Sequence, residues 1–209
     1  MITTGESAGG NLAAAVALKL RDDNFKPNIK LQVLLFPVLQ GVDFELPSML
    51  QFMNGPGLSA KTMAYFVAMY LDGNPGNQDL ILSNKHISPP VKKMLAKSYL
   101  NCDKLPNKYK KNYTRPDMNK GDDVLFKKIK SKVMSPYFSP LVAKKLTKLP
   151  PTFLLIGEND PLRDEALLYY ERLGKAGNSV SNHILEGTGH MHFRENGFVT
   201  TLHFIEKNL

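Results

Sequence analysis

Residues 5–11 read GESAGGN and fit the pattern G-x-S-x-G. In proteins with this pattern, a serine lies on a sharp turn between a strand and a helix, and its hydroxyl is exposed above a parallel sheet. The turn is strained, so we expect Gly5 and Gly9 to let the backbone pass where a Cβ atom would clash. The pattern therefore makes Ser7 the candidate nucleophile of a hydrolase.

The start of the chain is short for this interpretation. Only residues 1–4 precede the pattern, and we expect them to be too few for the full strand that leads into the turn. Two explanations follow from this. The chain is a fragment of a hydrolase, truncated at its N-terminus, or the match is accidental.

The composition is that of a globular protein. The chain has 209 residues, of which 43% are hydrophobic and 22% are charged, and this suits one domain over residues 1–209. It contains no run of 18 apolar residues and no signal peptide at its start, so we expect the chain alone to be soluble. Cys102 is the single cysteine, which excludes an internal disulfide and a cysteine-based metal cluster.

The positive charge is concentrated in one segment. The formal net charge is +8, and residues 91–150 contain 16 lysines and arginines against 4 acidic residues. Nucleic-acid-binding proteins more often spread a basic face over their ordered elements, so no nucleic acid partner is expected. A solvated charged surface is the favoured interpretation. The alternative is a site for anionic lipid or nucleic acid, which predicts binding that depends steeply on salt.

The hydrophobic pattern predicts strands that alternate with helices. The predicted strands are residues 31–38, 152–157 and 180–185. The predicted helices are residues 8–22, 59–71, 162–176 and 198–209. This alternation indicates an α/β fold with a mostly parallel sheet and helices on both faces.

Two stretches are less regular. Residues 43–56 show no helical or strand pattern. Residues 84–150 contain seven prolines and most of the lysines, so we interpret them as a peripheral, lysine-rich insertion of helices and loops.

A nucleophilic serine needs a base and an acid, and the predicted strands locate both. In α/β-hydrolases the order along the chain is serine, acid, histidine, with the acid and the histidine after two late strands. Asp160 follows the strand at residues 152–157, and His190 follows the strand at residues 180–185. Both lie at the carboxyl ends of parallel strands, where open α/β sheets place their chemistry. The order predicts the C-terminal part of an α/β-hydrolase fold.

Each candidate has a chemical role. His190 would take the proton of Ser7 and return it to the leaving group, while Asp160 would fix the histidine tautomer. The backbone N–H of Ala8, at the start of the next helix, would donate to the oxyanion. No metal or cofactor is expected, since no histidine pair has the spacing of metal ligands with carboxylates nearby.

Other residues compete for the acid role. Asp160 could instead cap the helix that follows it. Glu158 and Asp164 are rival acids, although Asp164 falls inside that helix.

His192 is the alternative to His190 as the base. Gly189 precedes His190 and gives that loop freedom, which favours His190. The remaining histidines read as ordinary surface or strand residues: His86, His183 and His203.

These residues resemble the arylacetamide deacetylase group, within the hormone-sensitive-lipase-like branch of α/β-hydrolases. The stretches that carry the resemblance are GESAGGNLAAAV (5–16), LQVLLFPVLQ (31–40) followed by LPS (46–48), SPLVA (139–143), ENDPLRDEALLYYERL (158–173) and EGTGH (186–190). They span nearly the whole chain, and the serine block and the acid block are specific in combination.

The resemblance implies a carboxylic-ester or amide hydrolase that works through an acyl-enzyme on small lipophilic acyl substrates. Its triad would be Ser7, Asp160 and His190. It also implies an endoplasmic reticulum membrane protein, anchored by an N-terminal helix that this sequence lacks. The aromatic and methionine-rich residues 48–70 could line an acyl pocket, although a plain core role is favoured.

Besides the missing anchor helix, the sequence departs from the family in two further places. The H-G-G-G motif, which supplies further oxyanion donors, is not in the sequence, and Met191 stands where the family usually has glycine. The loss of one such donor costs roughly 10²–10³ in rate. The alternative is therefore a catalytically incompetent fragment, or a hydrolase fold that only binds. In a lumenal parent protein, Asn112 in Asn-Tyr-Thr would be a candidate glycosylation acceptor.

Overall fold

The structure, a computed structural model, describes residues 1–55 and 57–209. Its centre is a sheet of four parallel strands, whose order in space is also their order along the chain. The strands are β1 (Ile2–Glu6), β2 (Leu31–Leu35), β3 (Thr152–Gly157) and β4 (Val180–Leu185). Because all four run in one direction, their carboxyl ends share one edge of the sheet, where α/β folds place their sites.

Eight α-helices accompany the sheet in the part of the chain that the structure describes. They are α1 (Ala8–Asp22), α2 (Pro47–Gln51), α3 (Ala60–Asp72), α4 (Gln78–Leu82), α5 (Pro89–Lys97), α6 (Asp123–Val133), α7 (Arg163–Lys175) and α8 (Glu195–Asn208). Among these helices, none has the length and hydropathy that a membrane span requires.

β1 forms although few residues precede the turn. It has five residues, because Gly5 and Glu6 of the G-x-S-x-G pattern belong to the strand. It pairs with β2 along its whole length, and five residues is an ordinary strand length. The turn therefore follows a five-residue strand, and the expectation that residues 1–4 are too few for the full strand stays a prediction.

Alternate side chains of the strands fill two apolar clusters. Leu34, Leu154 and Ile156 belong to the larger cluster, which α1 and α7 complete. Val33 and Phe153 belong to a smaller cluster, to which α8 contributes. Because successive side chains of a strand point to opposite faces, helices cover both faces of the parallel sheet. The predicted fold class is confirmed.

Three of the seven predicted elements have the observed bounds, and α3 and α7 differ from prediction by one residue at each end. α1, β3 and β4 match to the residue. α3 begins after Ser59, whose side chain accepts a hydrogen bond from the Thr62 N–H, and it ends at Gly73 in the left-handed conformation. β2 ends three residues earlier than predicted, because Phe36 leaves the sheet with a φ of 45°.

The stretch at residues 43–56 is more regular than expected. α2 lies within it and begins with a proline, which suits the first position of a helix because its missing N–H has no partner there. Pro56, the last residue of the stretch, lies outside the described residues. α8 begins at Glu195, three residues before its predicted start.

The segment at residues 84–150 contributes to the common core. Leu95, Phe126 and Ile129 are buried in the larger apolar cluster, together with residues of the sheet and of α7. Lys92 is also buried, and it donates to the backbone carbonyl of Lys120. The interpretation of residues 84–150 as an insertion stays a prediction.

Candidate active site

Ser7 lies at the turn between β1 and α1. Its φ of 52° and ψ of −118° are outside the regions that non-glycine residues favour. Its N–H donates to the Leu35 carbonyl at 2.9 Å, and its carbonyl accepts from the Val38 N–H at 3.2 Å. These bonds to the chain that leaves β2 hold the strained backbone in place.

Gly5 is required at this turn by a close approach of the backbone. A Cβ atom there would lie 2.3 Å from the carbonyl carbon and oxygen of Gly9. The expectation for Gly9 itself is wrong, because a Cβ on Gly9 would meet nothing within 4 Å. Gly5 is therefore required by the tight turn, whereas Gly9 contributes only its backbone to this close approach.

His190 joins the serine hydroxyl to a carboxylate. The Nε2 atom of His190 lies 2.9 Å from Ser7 Oγ, and its Nδ1 atom lies 2.8 Å from Asp160 Oδ2. The side chains of His190 and Asp160 are 8% and 1% exposed. The structure thus brings together the three residues that the sequence proposes as a triad, although the serine and the histidine are 183 positions apart.

Asp160 uses its two oxygens for two tasks. Oδ2 contacts His190, and Oδ1 accepts from the Leu162 N–H at 2.9 Å, in the turn before α7. α7 begins at Arg163 after Leu162, and no side chain among the described residues caps it, so the capping alternative for Asp160 is wrong. The second bond fixes the carboxylate plane and so orients the oxygen that faces the imidazole.

The loop that carries His190 passes close over the end of β3. A Cβ atom at Gly157 would lie 2.8 Å from the Gly189 carbonyl oxygen, so only glycine fits there. The Thr188 carbonyl accepts from the Asn159 N–H at 2.8 Å, which ties this loop to the loop of Asp160. The Phe36 ring lies edge-on to the imidazole, with 6.0 Å between ring centroids.

The rival acids hold other parts of the backbone. Glu158 accepts from the Gly187 N–H at 2.9 Å and pairs with Lys108 at 3.0 Å. The bond from Gly187 and, after it, the contact with Lys108 hold the pKa of the Glu158 carboxyl below its usual value. Asp164 accepts from the Ser48 N–H at 2.6 Å and pairs with Arg163 at 2.8 Å.

The other histidines differ from one another. The rival base His192 is exposed at the rim of a cleft. His183 lies in β4 and His203 on the exposed side of α8. The expectation for His86 is wrong: it is fully buried, its Nε2 lies 3.0 Å from the Gly41 carbonyl, and burial lowers its pKa to about 4.

The start of α1 offers the expected N–H donor. α1 begins at Ala8, whose N–H therefore has no acceptor within the helix and lies next to Ser7. Within residues 1–55 and 57–209, no group of three or more histidine, cysteine, aspartate or glutamate side chains is placed to hold a metal ion.

An open cleft of about 460 Å³ borders the loop of His190. Thr188, Gly189, His192 and Phe52 are among the residues that line it. Other members of the aromatic and methionine-rich stretch at residues 48–70, such as Met49, are buried in the core instead. That residues of this stretch line an acyl pocket stays a prediction.

Asn11 is a residue to which the sequence assigned no role. Its Nδ2 atom donates to the Val38 carbonyl at 2.9 Å and to the Phe138 carbonyl at 2.8 Å. It therefore ties the first turn of α1 to two distant loops. No local pattern predicts these partners, because one of them is 127 positions away.

Asn112, the candidate glycosylation acceptor, lies at the surface. It is exposed, with a φ of 63°, and the neighbouring Tyr113 hydroxyl donates to the Glu45 carbonyl at 2.8 Å. Its modification stays a prediction.

Comparison with known proteins identifies related chains. A family model described as the alpha/beta hydrolase fold matches residues 1–98 and 86–194. The chain is 37% identical over 191 residues to arylacetamide deacetylase of Bos taurus, covering 90% of this chain and 47% of that protein. It is 37% identical over 190 residues to neutral cholesterol ester hydrolase 1 of Rattus norvegicus, covering 88% and 46%. The resemblance to the arylacetamide deacetylase group is confirmed.

Solved structures extend the comparison. The chain is similar to a bacterial heroin esterase with a TM-score of 0.62 and 29% identity, covering 100% of this chain and 51% of that one. A carboxyl esterase 2 from the fungus Tuber melanosporum shares the fold with a TM-score of 0.66 at 21% identity, covering 100% and 54%. The chain spans about half the length of the relatives that it matches.

Proposed function

The chain belongs to the alpha/beta hydrolase fold family, and from this premise we propose that it hydrolyses carboxylic esters or amides by a serine mechanism. One observation carries the proposal: the hydrogen-bonded line from Ser7 Oγ through the His190 imidazole to the Asp160 carboxylate. The relatives named as deacetylase, ester hydrolase and esterase support the same reaction class.

The first half of the proposed reaction forms an acyl-enzyme. Asp160 accepts the Nδ1–H of His190, which leaves Nε2 free to take the proton of Ser7. Oγ then attacks the carbonyl carbon of the substrate, and the resulting oxyanion accepts a hydrogen bond from the Ala8 N–H. When the tetrahedral intermediate collapses, the carbon–oxygen or carbon–nitrogen bond breaks, and His190 gives its proton to the departing alcohol or amine.

The second half regenerates the serine. A water molecule gives its proton to His190 Nε2 and attacks the acyl carbon through its oxygen. Collapse of this second intermediate breaks the bond to Ser7 Oγ, which recovers its proton from His190. The net reaction consumes one water and releases the acid. Asp160 stays ionised throughout and stabilises the imidazolium.

We propose small lipophilic acyl compounds as the substrate class. The support is the similarity to arylacetamide deacetylase and to neutral cholesterol ester hydrolase 1, together with Phe52 in the cleft beside the histidine loop. An aromatic wall favours an apolar acyl group over a charged one. The same resemblance is the sole support for an endoplasmic reticulum location, which fractionation of cells that make the natural protein would test.

Fluorophosphonate labelling of the purified chain tests the proposed function. We expect covalent labelling of the wild type, loss of labelling in Ser7→Ala, and strongly reduced labelling in His190→Ala. His203→Ala is the matched control, because this exposed histidine on α8 lies outside both the proposed line and the cleft, and it should label like the wild type. A folded wild-type chain that does not label would favour the catalytically incompetent or binding-only alternative.

A further inference from the structure

The chain leaves β2 through an irregular segment, residues 36–43, that we call the β2 exit segment. A backbone without regular structure must find hydrogen-bond partners elsewhere when it is buried, since each unmet group costs free energy. Here a buried carboxylate supplies them: Glu165 Oε1 accepts from the Leu39 N–H at 2.6 Å, and Oε2 accepts from Gln40 Nε2 at 2.8 Å.

Gln40 extends this support along the segment. Its Oε1 accepts from the N–H groups of Val42 and Asp43, both at 2.7 Å, and its Nε2 also donates to the Asp43 carbonyl at 2.9 Å. The orientation of the Gln40 amide is thereby set, because its oxygen faces two donors. Glu165 and Gln40 together provide hydrogen-bond partners for the backbone N–H groups of Leu39, Val42 and Asp43 and for the Asp43 carbonyl.

The same segment contacts the nucleophile and the base. The Val38 N–H donates to the Ser7 carbonyl, and the Phe36 ring packs edge-on against His190. Phe36 has a φ of 45°, a strained conformation for an aromatic residue, and it persists only where the surroundings impose it. The hydrogen bond from the Leu39 N–H to Glu165 joins this segment to α7.

Glu165 has no part in the reaction proposed above. It is fully buried on α7, five positions after Asp160, and its side chain contacts the β2 exit segment rather than the triad. Burial raises the pKa of its carboxyl to about 8. Burying a carboxyl group costs free energy, so the position of Glu165 against the β2 exit segment requires an explanation.

We propose that Glu165 is a positioning residue, which holds the β2 exit segment through Leu39 and Gln40 and thereby orients Ser7 and His190. The inference rests on the proposed function. Glu165→Gln keeps the shape of the side chain but places an amide against two donors, one of which must lose its acceptor. The β2 exit segment then shifts, and the line from Ser7 to His190 loses its geometry.

Two measurements on the full 209-residue chain test this inference. The first is the second-order rate of labelling by a fluorophosphonate, with kcat and KM for p-nitrophenyl butyrate. We expect Glu165→Gln to reduce the labelling rate and kcat by about 10-fold to 100-fold, with KM nearly unchanged, because misplacement of reacting groups acts on the chemical step. Glu171→Gln, which removes a surface carboxylate from the same helix, is the matched control and should behave like the wild type.

The second measurement is amide hydrogen exchange, which does not depend on activity. Glu165→Gln should accelerate exchange at residues 5–11 and 36–43 and leave β3 protected. Gln40→Ala should also accelerate exchange at residues 5–11 and 36–43. This variant tests the inference if Glu165→Gln does not fold. Labelling and exchange equal to the wild type in a folded variant would overturn the inference. If the wild type itself does not label, the proposed function fails. Amide hydrogen exchange then still tests whether Glu165 holds the β2 exit segment.

Discussion

At the scale of the residue, the acid block at residues 158–165 distributes four carboxylates over four partners. Asp160 faces His190, Glu158 faces the Gly187 N–H, Asp164 faces the Ser48 N–H, and Glu165 faces the Leu39 N–H. Spacing in sequence assigns none of these partners, since the acids lie within one short stretch. Each contact is set by which loop or helix lies against the acid in the folded chain, since Ser48 belongs to α2.

The first residue-scale prediction concerns the histidine tautomer. Asp160→Asn keeps the shape but presents an amide to His190 Nδ1, which stabilises the wrong tautomer. We expect kcat to fall by about 10⁴, as such a change does in serine hydrolases. The measurement is kcat for ester hydrolysis by the folded proteins. The control variant is Glu158→Gln, which changes a neighbouring acid. A comparable loss in both variants would contradict the assignment of Asp160.

The second residue-scale prediction concerns acid stability. Burial lowers the pKa of His86 from 6.5 to about 4, so the unfolded chain binds a proton in this window before the folded chain does. Stability from this group is present above pH 6.5 and is lost as the pH falls toward 4. We expect the free energy of unfolding to fall by about 2 kcal/mol between pH 7.5 and pH 5 because of this group.

Urea unfolding of the wild type and of His86→Gln measures this effect. Glutamine keeps an N–H donor for the Gly41 carbonyl but does not titrate. The difference in unfolding free energy between the two proteins should therefore change with pH by the amount given above. A difference that is constant from pH 5 to pH 7.5 would exclude His86 as the titrating group.

At the scale of the element, the turn between β1 and α1 depends on one backbone contact. Gly5→Ala would place a Cβ atom 2.3 Å from the Gly9 backbone, which cannot move without disturbing the first turn of α1. We expect a loss of about 1–3 kcal/mol in unfolding free energy, measured by urea denaturation, from overpacking and strain. Gly9→Ala is the matched control, since the space there is open, and it should not destabilise the chain. Equal losses in the two variants would contradict the role given to Gly5.

At the scale of the whole molecule, the lysine-rich segment and the sheet share one apolar cluster. Ile129 on α6 is 1% exposed in that cluster, so Ile129→Ala should destabilise the entire chain by about 2–5 kcal/mol. Val124→Ala on the same helix is the control, because Val124 is 82% exposed. Thermal unfolding followed by calorimetry should show one transition that shifts as a unit. A separate low-temperature transition would indicate an insertion that folds by itself.

The regular elements were predictable because their signals are local. α1 and α3 have helix-forming residues and end signals such as Ser59 and Gly73, and β3 and β4 are apolar runs bounded by turn residues. α2 was missed because five residues give too short a period to recognise. The early end of β2 was missed because it depends on the conformation of Phe36, which tertiary contacts impose.

The α/β fold class, the turn at Ser7 and the candidates Asp160 and His190 could be predicted from the amino-acid sequence, because they follow from the order of the strands and the types of residue along the chain. Three features required the folded chain: Asp160 rather than Glu158 or Asp164 contacts His190, His192 is exposed, and Glu165 contacts the β2 exit segment. The physical reason is distance along the chain. Contacts between residues 30 positions apart, such as Asp160 and His190, or 126 positions apart, such as Leu39 and Glu165, depend on how packed elements bring loops together, and no local pattern encodes that geometry.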